Sequence, residues 1–175
     1  MLSGRQGSAC PPDESLQGRH EEPDEHGRDP RGHRGGPSLK LVLDTDVIAA
    51  ALLGEPDRGE EASRFIARCR EPMAPAHWKA ELASVVWKAV VLGRLPRDRI
   101  GVVLDEASRL PITSVDVSDL WQGAVMRAAG AKHPVYDVLF VELAVRECTV
   151  VASYDRDFRR AFPDLVILPS KLPKG

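Results

Sequence analysis

From Leu39 onward, short apolar runs alternate with stretches whose apolar residues recur at helical spacing. Leu39 to Leu43 is a compact apolar run that ends in Asp44-Thr45-Asp46, the pattern of a strand buried on both faces with polar residues at its C-terminal end. Asp46 is placed to cap a helix from Val47 to Leu53, closed by Gly54. Glu60 to Cys69 reads as a second helix with Ala62, Phe65, Ile66 and Cys69 on one face, followed by a short extended piece, Glu71 to Ala74. A long helix is predicted from Ala76 to Leu92, striped by Leu82, Val85, Val86, Ala89 and Val90, and another from Pro96 to Leu110. Ile112 to Val115 is strand-like; Ser118 or Asp119 caps the next helix, which runs to Ala129 and ends at Gly130. Val135 to Glu147 is helical, Thr149 to Ala152 a strand, Arg156 to Ala161 a short helix and Leu165 to Leu168 a last strand.

Strands that are nearly all apolar and interleaved with helices predict an α/β fold with a mainly parallel sheet. Residues 1 to 37 break this pattern. They hold 7 Gly, 5 Pro and 12 Arg, Asp or Glu residues against only 5 apolar ones. So little apolar surface cannot offset about 1–2 kcal/mol of backbone entropy per ordered residue, so this segment is expected to be disordered. Residues 38–175 are expected to form one domain with one core.

The chain carries 24 basic and 26 acidic residues; the first 37 residues take 5 and 7 of these, which leaves the domain formally neutral. Bulk charge therefore argues for no nucleic-acid partner, and any such function must come from a local site. The sequence has no run of the length needed to span a membrane and no secretory h-region. Its three cysteines, Cys10, Cys69 and Cys148, lack ligand spacing; Cys69 and Cys148 read as small core residues, and a reducing, cytoplasmic compartment is expected.

In parallel sheets chemistry gathers beyond the C-terminal ends of the strands. Asp44 follows the first strand, and Asp155 lies just past the strand Thr149 to Ala152. Glu81 and Asp137 lie near the starts of helices that begin at the same rim. The separations of 37, 56 and 18 residues mean that only the fold could unite the four. Singly, each has an ordinary reading: Asp44 as a cap, Glu81 as a solvated flank, Asp137 as a first-turn acid and Asp155 as a turn or cap residue. Together they would repel, and a hard divalent cation such as Mg²⁺ or Mn²⁺ with oxygen ligands resolves that conflict. Such a site suits phosphodiester hydrolysis. No His, Cys or Lys is expected in the cluster, which argues against zinc and against a covalent nucleophile.

Leu41-Val42-Leu43-Asp44-Thr45-Asp46 resembles the opening motif of PIN domains, a strand followed by Asp-Thr-Asn or Asp-Thr-Ser. Pro75 to Leu82 resembles their Pro-led helix carrying a Glu, and Tyr136-Asp137…Leu143-Ala144…Thr149 to Asp155…Phe158 their closing motifs. Size and last motif are most similar to the toxin of VapBC-type toxin–antitoxin pairs. The resemblance implies a three-layer α/β/α sandwich, RNA cleavage dependent on Mg²⁺ or Mn²⁺, a homodimer and a small antitoxin that occludes the site. It assigns the metal-site acids to Asp44, Glu81, Asp137 and Asp155, and the hydroxyls that orient a ligand or water to Thr45 and Ser153. Asp46 departs from the motif, as a further ligand or as the helix cap. Tyr154 also departs, and is expected to narrow the groove or stack on a base. Lys88, Arg94, Lys132, Arg156, Arg159 and Arg160 are the basic residues expected near the rim for RNA contact, whereas Trp78, Trp87 and Trp121 are expected in the core or a dimer interface. Three other readings stand beside this one. A receiver-like phosphoacceptor module also gathers acids at strand ends, but no strand here ends in the Lys it would need. A PIN fold could bind without cleaving, and Asp44-Thr45-Asp46-Val47 also fits the opening of haloacid-dehalogenase-like phosphatases, with no room left for that family's later motifs.

Overall fold

The computed structural model describes residues 39–172. The expectation of disorder for residues 1–37 lies outside them. In chain order the elements are β1 (Leu39–Leu43), α1 (Thr45–Leu53), α2 (Gly59–Arg68), β2 (Cys69–Pro75), α3 (Trp78–Val91), α4 (Ile100–Arg109), β3 (Thr113–Val115), α5 (Val117–Ala131), α6 (Val135–Arg146), β4 (Val151–Ala152), α7 (Arg156–Ala161) and β5 (Val166–Ile167). Single 3₁₀ turns precede α4 and follow β5.

The five strands form one all-parallel sheet in the order β3-β2-β1-β4-β5. The chain first steps from β1 to β2 and β3, then returns past β1 to lay down β4 and β5. Right-handed crossovers made in opposite directions put α1 to α4 on one face and α5 to α7 on the other, giving three layers. The packing agrees: α1 touches α2, α3 and α4, while α5 packs on α6, and α6 lies against β1 and β2. The reversal makes the C-terminal ends of β1 and β4 the switch point, where a crevice opens between the two layers.

Burial explains the sequence patterns. Leu41, Val42 and Leu43 are at most 2% exposed because β1 is central and covered on both faces. Helix α6 buries every residue from Val138 to Ala144, so its apolar surface is not confined to one stripe. Within that run Glu142 is buried, its two oxygens accepting from Arg127 Nε at 2.7 Å and Arg146 Nε at 2.8 Å, which clasps α5 to α6.

Several local expectations are corrected. The piece expected over Glu71 to Ala74 is the longer strand β2, paired on both sides despite Pro72 and Pro75. Its ladder with β3 begins at Met73, so the N–H that Pro72 lacks falls ahead of that ladder. Helix α5 is capped by Asp116, which accepts from the Ser118 N–H at 2.7 Å, and continues through Gly130 to Lys132, whose φ of 53° ends it. Of the three tryptophans expected in the core or a dimer interface, Trp78 is in the core and donates from Nε1 to Ser114 Oγ at 3.0 Å, while Trp87 and Trp121 are exposed on this single chain. Cys69 is buried, whereas Cys148 is exposed just past the end of α6.

Candidate active site

Asp44 is the first residue beyond β1 and occupies the N-cap position of α1, yet its side chain makes no capping hydrogen bond. Oδ2 instead accepts from Ser153 Oγ at 2.6 Å, reaching across the switch point to the segment that follows β4. Ser153 is fully buried and its Oγ in turn accepts the Asp155 N–H at 3.0 Å. Thr45, also buried, donates from Oγ1 to Glu81 Oε2 at 2.5 Å and ties the start of α1 to the first turn of α3. Asp137 stands in the first turn of α6 with Oδ2 at 3.0 Å from His133 Nε2. Asp155 caps α7: its Oδ1 accepts from the N–H groups of Asp157 (2.7 Å) and Phe158 (2.9 Å).

Asp46 is not the cap of α1. The helix starts at Thr45, two residues earlier than a capping Asp46 allows, and the Asp46 carboxylate turns to the far side of the switch point. Oδ2 accepts the Tyr154 N–H at 2.9 Å and lies 3.3 Å from Ser153 Oγ, while Oδ1 is buried without a protein partner.

These acids behave as one electrostatic cluster. Burial holds the Asp44 carboxyl well above its usual value, Asp46 pushes it further, the Ser153 hydrogen bond opposes, and Glu81 and Asp137 add to the rise. Burial likewise lifts Asp46 to about 6 against its hydrogen bonds from Tyr154 and Ser153, with Asp155 adding to the rise. Asp137 is raised by burial, opposed by His133, with Asp155 again pushing it up. The groups acting most strongly on the three include no lysine or arginine.

Among the described residues no three Asp, Glu, His or Cys side chains already stand in a geometry that holds one ion. One oxygen of Asp155 accepts at the α7 cap and one of Asp44 accepts from Ser153. The donor set nevertheless fits a hard divalent cation. It consists of carboxylate and hydroxyl oxygens, mutual repulsion holds its acids in a state a cation would relieve, and one buried oxygen, Asp46 Oδ1, lacks a partner.

The sequence signature of the PIN domain matches residues 41–162. The chain belongs to the PIN domain family. It is distantly related to the VapC ribonucleases: Ribonuclease VapC3 of Mycobacterium tuberculosis is 29% identical over 127 residues, covering 73% of this chain and 90% of that protein. Two solved structures share the fold. PAE2754 from Pyrobaculum aerophilum superposes with a TM-score of 0.58 at 13% identity, over 76% of this chain and 86% of its own. VapBC2 from Rickettsia felis, solved bound to a DNA fragment from their promoter, gives 0.53 at 15% identity, over 74% and 98%. Membership in the family sets aside the phosphatase reading of the opening motif.

The expectation that no His stands in the cluster is corrected: this PIN domain brings two histidines to its acids. His77 Nε2 lies 3.6 Å from Glu81 Oε1, and burial keeps its imidazole below the usual value although Glu81 and Asp137 pull it up. The His133 ring stacks on Phe158 at 5.3 Å. Each histidine precedes its acid by four residues, His77 at the N-cap of α3 and His133 just ahead of the N-cap of α6. Tyr154 has no open face for base stacking: it is 9% exposed, with the Arg58 guanidinium 4.9 Å from its ring centre.

The basic residues divide. Arg156 and Arg159 lie on α7 directly after Asp155, and Arg159 Nε donates to the Asp155 carbonyl at 3.2 Å. Arg160 pairs with Asp157 at 3.2 Å, and Lys132 is exposed in the link that enters α6. Lys88 and Arg94 belong elsewhere. They line a groove of about 900 Å³ at the far end of α1, with Leu53 to Arg58 as its other wall. Lys88 is roughly 10 Å along α3 from Glu81 at 1.5 Å per residue. Among the described residues no helix is long and apolar enough to cross a membrane.

Proposed function

We propose that this PIN domain is a metal-dependent endoribonuclease that hydrolyses RNA phosphodiester bonds, and that it is the toxin of a type II toxin–antitoxin pair. The observation that carries the reading is the set of carboxyls at the β1/β4 switch point, where Asp44 feels Asp46, Glu81 and Asp137 at once. Asp44, Glu81, Asp137 and Asp155 would hold Mg²⁺ or Mn²⁺, with Asp46 Oδ1 available as a further ligand. Such a cation, when bound, supplies the positive charge that neutralises the carboxylates and polarises the phosphodiester.

The chain's own residues do the rest. Thr45 fixes the Glu81 carboxylate and Ser153 fixes that of Asp44, so both are oriented before substrate arrives. One of these carboxylates accepts the proton of the attacking water. Arg156, Arg159 and Lys132, beside Asp155 and Asp137, are placed to take the phosphates that flank the cleaved bond.

Kinship with a protein named a ribonuclease supports the RNA substrate, and kinship with VapC proteins supports a cognate antitoxin and a cytoplasmic setting. The exposed Trp87, Val91 and Leu92 of the α3 end and Trp121, Val125 and Met126 of α5 support a homodimer and a protein partner. Induced expression in a bacterial host tests the reading. The wild-type chain is expected to arrest growth and leave new cuts in cellular RNA, and Asp137→Asn, made at equal level, to do neither. Equal arrest and equal cutting by the variant would remove the acids from the mechanism.

A further inference from the structure

Eight of the nine large hydrophobic side chains exposed among the described residues lie on α3 and its end, α4 and α5. The ninth is Tyr136, 64% exposed, on the first turn of α6 immediately before Asp137. Its backbone is anchored, because the helix buries Val138, Leu139 and Phe140 directly after it. One side of its ring leans on the His77 imidazole, with centres 5.8 Å apart and planes at 54°, and that imidazole is itself braced edge-on against Phe140 at 5.1 Å. The ring is thus supported from beneath by the wall of the acid cluster and left open to solvent. The other aromatics at the rim offer no such face: Tyr154 is covered by Arg58, and Phe140 and Phe158 are buried.

An exposed, propped aromatic face beside a phosphodiester-cleaving centre has an obvious chemical complement. Every nucleobase presents a π-face of similar size, and stacking on tyrosine requires only that the base be unpaired. We infer that Tyr136 is the platform for one unpaired nucleobase next to the scissile phosphate, so that it fixes the register of the RNA strand over the acids. This rests on the nuclease reading of the same site. Because stacking reads a face rather than an edge, Tyr136 sets position along the strand and tolerates different bases.

The test is binding of a short single-stranded RNA carrying 2-aminopurine at each position in turn, using the full chain with Asp44→Asn so that the strand stays intact. One position is expected to show strong quenching with Tyr136 and with Tyr136→Phe. Tyr136→Ala is expected to lose that quenching and to bind about tenfold more weakly or worse, the loss expected of one base–aromatic stack. The melting temperature of Tyr136→Ala should be unchanged, since the ring is exposed. Unchanged affinity and unchanged quenching in Tyr136→Ala would overturn the platform; if the parent chain cuts RNA, the nuclease reading would stand. A parent that neither binds nor cuts RNA would overturn both.

Discussion

Replacing Asp46 by asparagine tests the electrostatics of the site without reference to catalysis. The Asp46 carboxyl is held at about 6 in the folded protein against an ordinary 3.8, with burial as the main cause. Between those two pH values the folded chain keeps a proton that the unfolded chain has released. The stabilisation is therefore fully present below the unfolded value and is lost as pH rises through about 6. At about 1.4 kcal/mol per pH unit the loss comes to about 3 kcal/mol at neutral pH. The substituted side chain would carry no charge and would still offer an oxygen to the Tyr154 N–H, but it would place an amide where Oδ1 has no partner. An unsatisfied buried group costs about 1–3 kcal/mol, so the net expectation is a stabilisation of up to about 2 kcal/mol at pH 7.5. In a domain of this size that is a rise in Tm of up to roughly 8 °C. At pH 4 the folded wild type already carries its Asp46 proton, and the advantage should vanish or reverse. Thermal melts followed by circular dichroism in EDTA at the two pH values decide it. An Asp46→Asn protein whose Tm relative to wild type is the same at both pH values, or is higher at pH 4 than at pH 7.5, would refute the reasoning.

Mg²⁺ should raise the Tm of the wild type at pH 7.5 and much less at pH 4, where raised carboxyls such as Asp44 hold their protons; the same melts with Asp44→Asn should show little of that rise. Gly123→Ala should destabilise the domain by about 1–3 kcal/mol in urea titration, because its Cβ would collide with the Glu142 carboxylate and push it from between Arg127 and Arg146. Phe158→Ala should cost about 3–5 kcal/mol by the same measurement, since a fully buried ring is lost from beneath the His133 imidazole.

Much of the architecture was legible because it follows from burial. The continuous apolar run of β1 marked a central strand, and the rule that chemistry collects past the C-terminal ends of parallel strands selected Asp44 and Asp155. Glu81 and Asp137 followed from helices that start at the same rim. What the sequence concealed depends on single-residue geometry. Starting α1 at Thr45 rather than Val47 is enough to convert Asp46 from a cap into a carboxylate that grips the Tyr154 backbone. Tyr154 follows a strand of only two residues, too short for alternation to say which way its ring points. His77 and His133 were visible four residues ahead of Glu81 and Asp137, but neither sits on an apolar stripe that would have marked it as inward-facing. Lys88 and Arg94 were placed at the rim by charge alone, whereas the length of α3 carries them away from it.

The central claim is that the carboxyls at the switch point make a metal-dependent nuclease. Incubating the purified full-length chain with a mixed RNA pool in Mg²⁺, in Mn²⁺ and in EDTA, beside Asp44→Asn, tests it most directly. Cuts at discrete sites that require the metal and disappear in the folded variant are the predicted result. Folded wild-type protein, free of any bound partner, that leaves the pool intact in both metals would contradict the account and leave a PIN domain that binds without cleaving.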